Sequence, residues 1–369
     1  MLGPYRRTLH QGLRPRSGPV VPPLVGVAAH RRHRRHRRHR RATRWAPGAC
    51  LDVARRPSGR TARAGVEEVS GESGSGDRHG PVDQVELQAV GGLEVAPLLA
   101  TLAAHATPGS EQVRVEQDGA GGVRGRYRRL LELDGAPTPV TLDLHAAGVT
   151  LRAPGAVLHA AAEVVTWWFA LEEDPREATR ALTDDPVLGP LVRARPALRP
   201  LRHPAGFEAP VDTVLGQQVT LASARLFGER LRTAYSPGEV GGLRVFPTAT
   251  TLLAAPLEEL RAAVGLTTAR ARTVHAVAAL FADGFRLGPD TDPAMARAAL
   301  LGVTGIGAWT VEYLALRALG DPDAFPSSDA VVRRALGGAP ARDAERAAES
   351  WRPRRAWATA HLWASQATS

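Results

Sequence analysis

Lysine and asparagine are both missing from this chain of 369 residues, and cysteine occurs once, as Cys50. Without a lysine, no Schiff base can form on a side-chain amine. One cysteine cannot form a disulfide within the chain or a cysteine-ligated metal cluster. This scarcity of cysteine fits a reducing compartment, so we expect a cytoplasmic protein. No apolar run reaches the length of a membrane span, so we expect no membrane association.

Acidic residues are scarce at one end of the chain only. Residues 1–80 hold 18 arginines against 5 acidic residues, whereas residues 81–369 hold 29 arginines against 32. The formal net charge of +10 therefore comes from the N-terminal segment. Any binding of nucleic acid by the remainder must depend on a local patch and not on bulk charge.

The N-terminal segment has low complexity. It contains the repeat HRRHRRHRRHRR at residues 30–41, flanked by stretches rich in glycine, serine and proline. Such a composition cannot bury a core, so residues 1–80 are predicted to be a disordered Arg/His-rich tail. Three interpretations stay open: a metal- or DNA-binding arm, a tail without function, and upstream sequence translated from a misplaced start.

The remainder predicts an α+β fold. Residues 81–153 indicate a small α/β domain with an antiparallel sheet, because one helical segment precedes several segments of alternating polarity. These segments are Leu98–His105 for the helix and Gln112–Gln117, Gly125–Leu133, Val140–Leu144 and Gly148–Leu151 for the strands. Residues 154–369 indicate an all-helical domain, with one long helix over Ala209–Tyr235.

A Gly-x-Gly turn separates two helices predicted over Pro293–Leu300 and Ala308–Leu319. Gly305 and Gly307 flank Ile306, the one isoleucine of the chain. Glycines allow a positive φ and a close approach to a phosphate, and the backbone N–H groups of such a turn can bind it. Thr310 could add a hydroxyl contact. The alternative is an ordinary corner between two helices.

Asp329 follows this turn by 22 residues, after the segment Phe325–Ser328. It lies at the start of a predicted helix, where aspartate is often an N-cap. Ser327 and Ser328 could fill that role equally well, which would leave Asp329 free for chemistry. The glycine turn and Asp329 together suggest a helix-hairpin-helix motif that binds DNA and a carboxylate that acts on one nucleotide.

Aromatic residues are few, yet some are spaced to meet. Trp309 and Tyr313 are four apart and share one face of a helix. Together with Trp363 they are interpreted as an electron-rich pocket, which suits a cationic base through cation–π contact. Trp351 and Trp357 are interpreted as core residues.

From about Val82 to the C-terminus, the sequence resembles the AlkA-type DNA-3-methyladenine glycosylase II family of the helix-hairpin-helix glycosylase superfamily. The resemblance rests on segments in matching order and spacing: VLGQQVTLASA (214–224), FPT (246–248), GIGAWTVEYLALR (305–317), FPSSDAVVRR (325–334) and WRPRRAWATAHLW (351–363). It implies an AlkA-like N-terminal α/β domain over 81–153 and a glycosylase domain over 154–369.

The resemblance also implies roles for individual residues. Asp329 matches the catalytic carboxylate, and the substrate-binding aromatic residues match Trp309, Tyr313 and Trp363. The positions that match DNA-binding residues are Gln217, Gln218, Gly305, Gly307 and Thr310. Gln218 matches the wedge that fills the gap left by a flipped base, where some relatives have leucine. The carbonyls of Leu301, Val303 and Gly305 match a site for a structural monovalent cation, and no other cofactor is expected.

Two features narrow the expected activity. Bifunctional members of the superfamily have a lysine where this chain has Trp309, so a lysine-based lyase is excluded. Iron–sulfur members need four cysteines, so the single cysteine of this chain excludes that class as well. The expectation is a monomeric, monofunctional glycosylase that flips and excises alkylated purines of the 3-methyladenine and 7-methylguanine type from double-stranded DNA in base excision repair. The alternatives are a non-catalytic helix-hairpin-helix DNA-binding module and the remnant of a fused alkylation-response regulator.

Overall fold

The structure is a computed structural model that describes residues 82–117, 122–204 and 206–367. The predicted tail over residues 1–80 lies outside the described residues. Elements are numbered in chain order, as β1 to β7 and α1 to α14.

Five antiparallel strands form the N-terminal sheet, in the order β1-β5-β4-β3-β2. The strands are β1 Val82–Gln88, β2 Glu111–Gln117, β3 Val123–Leu133, β4 Ala136–His145 and β5 Gly148–Pro154. β3 and β4 are joined by Asp134 and Gly135, with φ of 50° and 75°, as a tight hairpin turn requires. β1, which the alternation had not identified as a strand, pairs with β5 along its whole length.

One face of the sheet is covered by α1 (Val95–His105) and α2 (Leu158–Trp168). Leu99 of α1 and Val165 of α2 are fully buried with Tyr127 and Leu151 of the sheet. The helix α2 begins beyond residue 153, yet it packs into the core of the sheet because its apolar residues recur at helical spacing on one side.

The rest of the described chain is helical apart from a short hairpin, β6 Glu239–Val240 with β7 Leu243–Arg244. Its helices are α3 Pro175–Leu182, α4 Leu188–Ala194, α5 Glu208–Gly216, α6 Leu221–Tyr235, α7 Ala249–Ala254, α8 Leu257–Val264, α9 Thr268–Ala282, α10 Pro293–Leu301, α11 Ala308–Leu314, α12 Ala330–Ala335, α13 Ala341–Ala347 and α14 Arg355–Gln366. The predicted α+β fold is confirmed. Among the described helices, none combines the length and the apolarity needed to cross a bilayer.

The prediction of one helix over Ala209–Tyr235 is wrong. The chain breaks between α5 and α6, because Gln218 has a left-handed backbone with φ of 53°. Thr220 then caps α6, its hydroxyl accepting a hydrogen bond from the Ser223 amide. Helical periodicity continues through the break, so the apolar pattern alone did not reveal it.

Buried ion pairs join the sheet to the helical domain. Glu208 of α5 accepts hydrogen bonds from Arg129 of β3 and Arg232 of α6, each at 2.7 Å. Burial by itself would raise the pKa of Glu208, but the two guanidinium groups outweigh it and lower the pKa to about 2. The pairing fixes the two domains against each other at the floor of the cleft described next.

Candidate active site

Asp329 lies at the start of α12 with a buried carboxylate, 8% exposed. Its Oδ1 accepts hydrogen bonds from the amides of Val331 and Val332, both at 3.0 Å, and from Nε1 of Trp363 at 3.1 Å. Its Oδ2 accepts from Nε1 of Trp309 at 2.9 Å. Four donors therefore hold the carboxylate in one orientation, and Oδ2 keeps a free lone pair.

Of the three residues that could cap this helix, the structure uses the acid and not a serine. Asp329 is itself the N-cap of α12. The helix entry positions the acid, because the two amide bonds that satisfy the first turn also fix the carboxylate group. Capping and a chemical role are compatible at this residue, since only one of its oxygens is used by the helix.

Three aromatic rings share a cavity with this carboxylate. The Trp309 and Tyr313 rings stack with centroids 5.2 Å apart and an angle of 24° between them. The Tyr313 and Trp363 rings lie 5.8 Å apart at 52°. All three residues and Asp329 line one cavity of about 730 Å³ between the sheet domain and the helices. The structure thus brings the predicted acid and the predicted pocket together, while Trp351 and Trp357 are core residues as predicted.

The predicted hairpin consists of α10, the turn 302–307 and α11. Gly305 has a φ of 93°, and a Cβ there would overlap the hydroxyl of Thr273. Gly307 differs from the prediction, because its φ of −106° is open to any residue. A Cβ on Gly307 would meet no atom within 4 Å, so this glycine leaves space in front of α11 and is not required by the turn.

One predicted DNA contact points inward instead. Thr310 is 2% exposed, and its hydroxyl accepts a hydrogen bond from Nε2 of Gln217 at 3.0 Å. The same Nε2 donates to the carbonyl of Gly305 at 3.1 Å. Thr310 is therefore too buried to contact a phosphate, and the Gln217 amide joins the α5–α6 loop to the hairpin. Periodicity could not reveal this, since the two segments are 88 residues apart in sequence.

Gln218 occupies the exposed tip of the same loop. The neighbouring Gln217 is held from two sides. Its side-chain amide bonds to the hairpin, and its carbonyl accepts a hydrogen bond from Arg270 of α9. A left-handed residue on a loop fixed in this way projects its side chain in a defined direction. The position suits the predicted wedge.

The carbonyls predicted to bind a cation lie along the hairpin. The carbonyl of Val303 accepts a hydrogen bond from the Ile306 amide at 3.0 Å, and that of Gly305 accepts from Gln217. Each has a second lone pair, and the cation stays a prediction. Elsewhere, His203, Glu208 and Asp212 offer ligand atoms within 4.8 Å of one another. Arg232 pairs with both carboxylates there, which disfavours a second cation.

Several basic residues of the cavity were not predicted, and Arg317 is the one that lies against the aromatic rings. The Cζ atom of its guanidinium lies 6.0 Å from the centroid of the Tyr313 ring. A signal was present in the sequence, since Trp309, Tyr313 and Arg317 follow one another at intervals of four residues.

Two family models match this chain. The model of the AlkA N-terminal domain matches residues 84–204, and that of the HhH-GPD superfamily base excision DNA repair protein matches residues 211–351. The chain belongs to the HhH-GPD superfamily. It does so with an AlkA N-terminal domain, and the HhH-GPD match contains both the hairpin and Asp329.

Relatives of this HhH-GPD chain agree with the assignment. A probable bifunctional transcriptional activator/DNA repair enzyme AlkA of Mycobacterium tuberculosis is 36% identical over 274 residues, which are 71% of this chain and 53% of that protein. The chain thus spans about half the length of this relative. DNA-3-methyladenine glycosylase 2 of Escherichia coli is 32% identical over 186 residues, 48% of this chain and 64% of that protein. A 3-methyladenine DNA-glycosylase from Archaeoglobus fulgidus has the same fold, with a TM-score of 0.58 at 22% identity over 76% of this chain and 97% of that chain.

Proposed function

We propose that this chain is a monofunctional DNA glycosylase. It flips alkylated purines of the 3-methyladenine and 7-methylguanine type out of double-stranded DNA and hydrolyses their N-glycosidic bonds. One observation supports this above all: the buried carboxylate of Asp329, bound to two indoles, lies in an aromatic cavity. The name of the Escherichia coli relative, a DNA-3-methyladenine glycosylase, supports the choice of substrate.

Extrusion of the nucleotide is the first step. The hairpin binds the backbone beside Gly305 and Gly307, and Gln218 enters the stack from the exposed loop tip. Such enzymes must take the base out of the helix to reach its sugar, at a cost of a few kcal/mol that is smallest for a weakly paired lesion. The hydrogen bonds of Gln217 fix the position of the Gln218 wedge relative to the hairpin, so both can contact one duplex at the same time.

The cavity then selects the base. Methylation at N3 or N7 leaves a purine positively charged, and the electron-rich faces of Tyr313, Trp309 and Trp363 attract a cation. The same charge makes the base a good leaving group, because it departs neutral. Recognition and reactivity thus favour the same lesions.

Asp329 acts on the sugar. As the C1′–N bond breaks, positive charge develops at C1′, and a nearby carboxylate stabilises it. Oδ2 has the free lone pair for this contact or for activating the attacking water. The indole donors keep the carboxylate from rotating away.

Hydrolysis without strand cleavage is expected. The chain has no lysine, and Trp309 occupies the position next to the carboxylate from which an amine could attack C1′. The product is then an intact abasic site. A monomer suffices for this chemistry, because the acid, the rings and the hairpin belong to one chain.

The test uses a duplex oligonucleotide with one 7-methylguanine and enzyme in excess. Released base is quantified by chromatography, and strand integrity is measured before and after alkali. Free 7-methylguanine with strands that break only in alkali is the expected result. Retained DNA binding without any base release would favour the non-catalytic module, and strand cleavage without alkali would contradict the monofunctional assignment.

A further inference from the structure

The start of α9 contacts both segments that the proposed function places on DNA. Arg270 of α9 donates a hydrogen bond to the carbonyl of Gln217, in the loop that carries the wedge. One turn further along, the hydroxyl of Thr273 donates to the carbonyl of Thr304 in the hairpin at 3.0 Å. The Arg270 side chain therefore lies where wedge loop and hairpin meet, and the proposed base release gives it no role.

The protein holds the Arg270 guanidinium in place. Its Cζ atom lies 5.7 Å from the centroid of the Phe227 ring of α6, and one of its N–H groups is bonded to Gln217. Arg270 is only partly exposed, so its side chain has less rotational freedom than that of an ordinary surface arginine. A group oriented in advance loses less entropy when it binds a partner.

No carboxylate pairs with Arg270 in the part of the chain that the structure describes. The interior arginines Arg129 and Arg232 pair with Glu208, whereas no ion pair among the described residues includes Arg270. Desolvation lowers the pKa of Arg270, yet an arginine stays protonated at neutral pH. A partly buried charge without a counter-charge is unfavourable. Its unused N–H groups are therefore available to an anion.

A second arginine lies beside the same ring. Arg230 follows Phe227 by about one turn of α6. A Cβ placed on Gly265, in the turn before α9, would lie 2.8 Å from Nη1 of Arg230 and 4.0 Å from Cε1 of Phe227. Arg230 is exposed and takes part in no ion pair among the described residues. These two arginines form a local basic patch on a part of the chain whose overall charge is nearly balanced, as binding of a polyanion requires.

A DNA phosphate has the chemistry that fits this patch. Two of its oxygens match the planar fork of a guanidinium, which binds them through paired hydrogen bonds. Arg270 is bonded to the peptide group that leads into Gln218, the residue with the left-handed backbone. A guanidinium fixed on a phosphate would also fix this peptide group, so binding of the DNA backbone and the position of the wedge would be linked.

We propose that Arg270 binds a phosphate of the duplex beside the wedge, with Arg230 adding to the positive potential there, and that this contact stabilises the wedge loop while the base is extruded. The inference rests on the proposed function, since it concerns the same DNA complex. It adds a phosphate contact that lies outside both the hairpin and the aromatic cavity.

The test measures the affinity of the full chain for a duplex with a tetrahydrofuran abasic analogue, by fluorescence anisotropy between about 50 and 200 mM KCl. Arg270→Gln keeps a donor for the Gln217 carbonyl and removes the charge. It should weaken binding about tenfold and make the slope of log affinity against log salt less steep by about 0.9, the value for one phosphate contact. All variants share the same N-terminal segment, so differences in slope come from the substituted residue.

Arg286→Gln is the matched control. Arg286 is exposed and lies beyond the other end of α9, about 20 Å away. Its side chain donates to the carbonyl of the preceding residue and is in no ion pair among the described residues. The control therefore removes the same charge without touching the wedge loop, and its salt slope should equal that of the unmodified protein.

A methylphosphonate scan of the duplex identifies the phosphate. At one position beside the analogue, a neutral methylphosphonate should weaken binding of the unmodified protein and leave that of Arg270→Gln unchanged. Melting temperatures show whether each variant folds. If Arg270→Gln does not fold, Arg270→Lys keeps the charge without the fork. That variant should bind the ordinary duplex less tightly than the unmodified protein and the neutralised duplex equally well.

The outcomes separate this contact from a structural role and from the proposed function. An unchanged salt slope in folded Arg270→Gln, even with weaker binding, would mean that the residue only supports the loop, which overturns the proposal. An equal change of slope in Arg286→Gln, or a scan in which no position depends on Arg270, overturns it too. Release of 7-methylguanine tests the proposed function separately, because a protein with this phosphate contact but no base release would be a non-catalytic DNA-binding module.

Discussion

Asp329→Asn is the perturbation for which the structure predicts the most. Asparagine is as good an N-cap as aspartate, so the amide bonds to Val331 and Val332 can persist. The side-chain amide nitrogen cannot accept a hydrogen bond, however, and one of the two indole donors loses its acceptor. An unsatisfied buried donor costs about 1–3 kcal/mol. In a chain of this size that lowers Tm by roughly 2–10 °C.

The catalytic loss should be far larger than this structural one. Removing a single preorganised group that stabilises transition-state charge costs roughly 10²–10³-fold in rate. The substitution here removes a full negative charge from a site shielded from water, so we expect at least about 10³-fold slower release of 7-methylguanine. DNA affinity should change little, because the hairpin and Gln218 are untouched.

The assay measures single-turnover base release, duplex affinity by fluorescence anisotropy and Tm for the same preparations. Asp174→Asn is the matched control, since Asp174 caps α3 by accepting from the Arg176 amide and lies outside the cavity. If folded Asp329→Asn protein released base within tenfold of the unmodified rate, the carboxylate would not act on the sugar and the reasoning would be refuted.

Three further substitutions test the framework of the site. Gly305→Ala should destabilise the hairpin and weaken duplex binding, because its φ is 93° and its Cβ would overlap Thr273; Gly307→Ala, at an open position, is the control in anisotropy. Gln217→Leu should cost about 1–3 kcal/mol in urea denaturation, since Gly305 and Thr310 lose its amide; unchanged stability would contradict the link. His361 is 2% exposed, and burial, then Arg195, lower its pKa to about 4. The pKa of His361 is lower in the folded than in the unfolded state, so its contribution to stability is fully present above pH 6.5. The free energy of unfolding should therefore fall by up to about 3 kcal/mol as the pH drops to 4. Denaturation of His361→Gln across this range should depend less on pH.

Local features of the fold could be predicted because their causes are local. Alternating polarity identified β2 to β5, and proline with aspartate marked the starts of α3 and α10. β1 escaped because its residues are mostly exposed at the sheet edge and hence give a weak apolar alternation. The break before α6 escaped because Gln218 adopts a left-handed backbone that glycine more often provides.

The candidate site was predictable to the level of residue type and position. Spacing placed Trp309 and Tyr313 on one face, and the helix start placed Asp329 at an N-terminus. Sequence could not give the direction of each side chain. It left the capping of α12 open between Asp329 and two serines, and it assigned the Thr310 hydroxyl to the DNA surface, whereas that hydroxyl is buried and bonded to Gln217.

The amino-acid sequence by itself determined the order of the elements, the glycine turn and the acid that follows it, since backbone conformation and periodicity depend on near neighbours. Only the tertiary structure decided that the indoles of Trp309 and Trp363 hold Asp329 by hydrogen bonds, and that Arg317 shares their cavity. Those contacts join segments up to 34 residues apart, and their geometry depends on how α11, α12 and α14 pack. Hydrogen bonds require distances and angles that no linear pattern specifies.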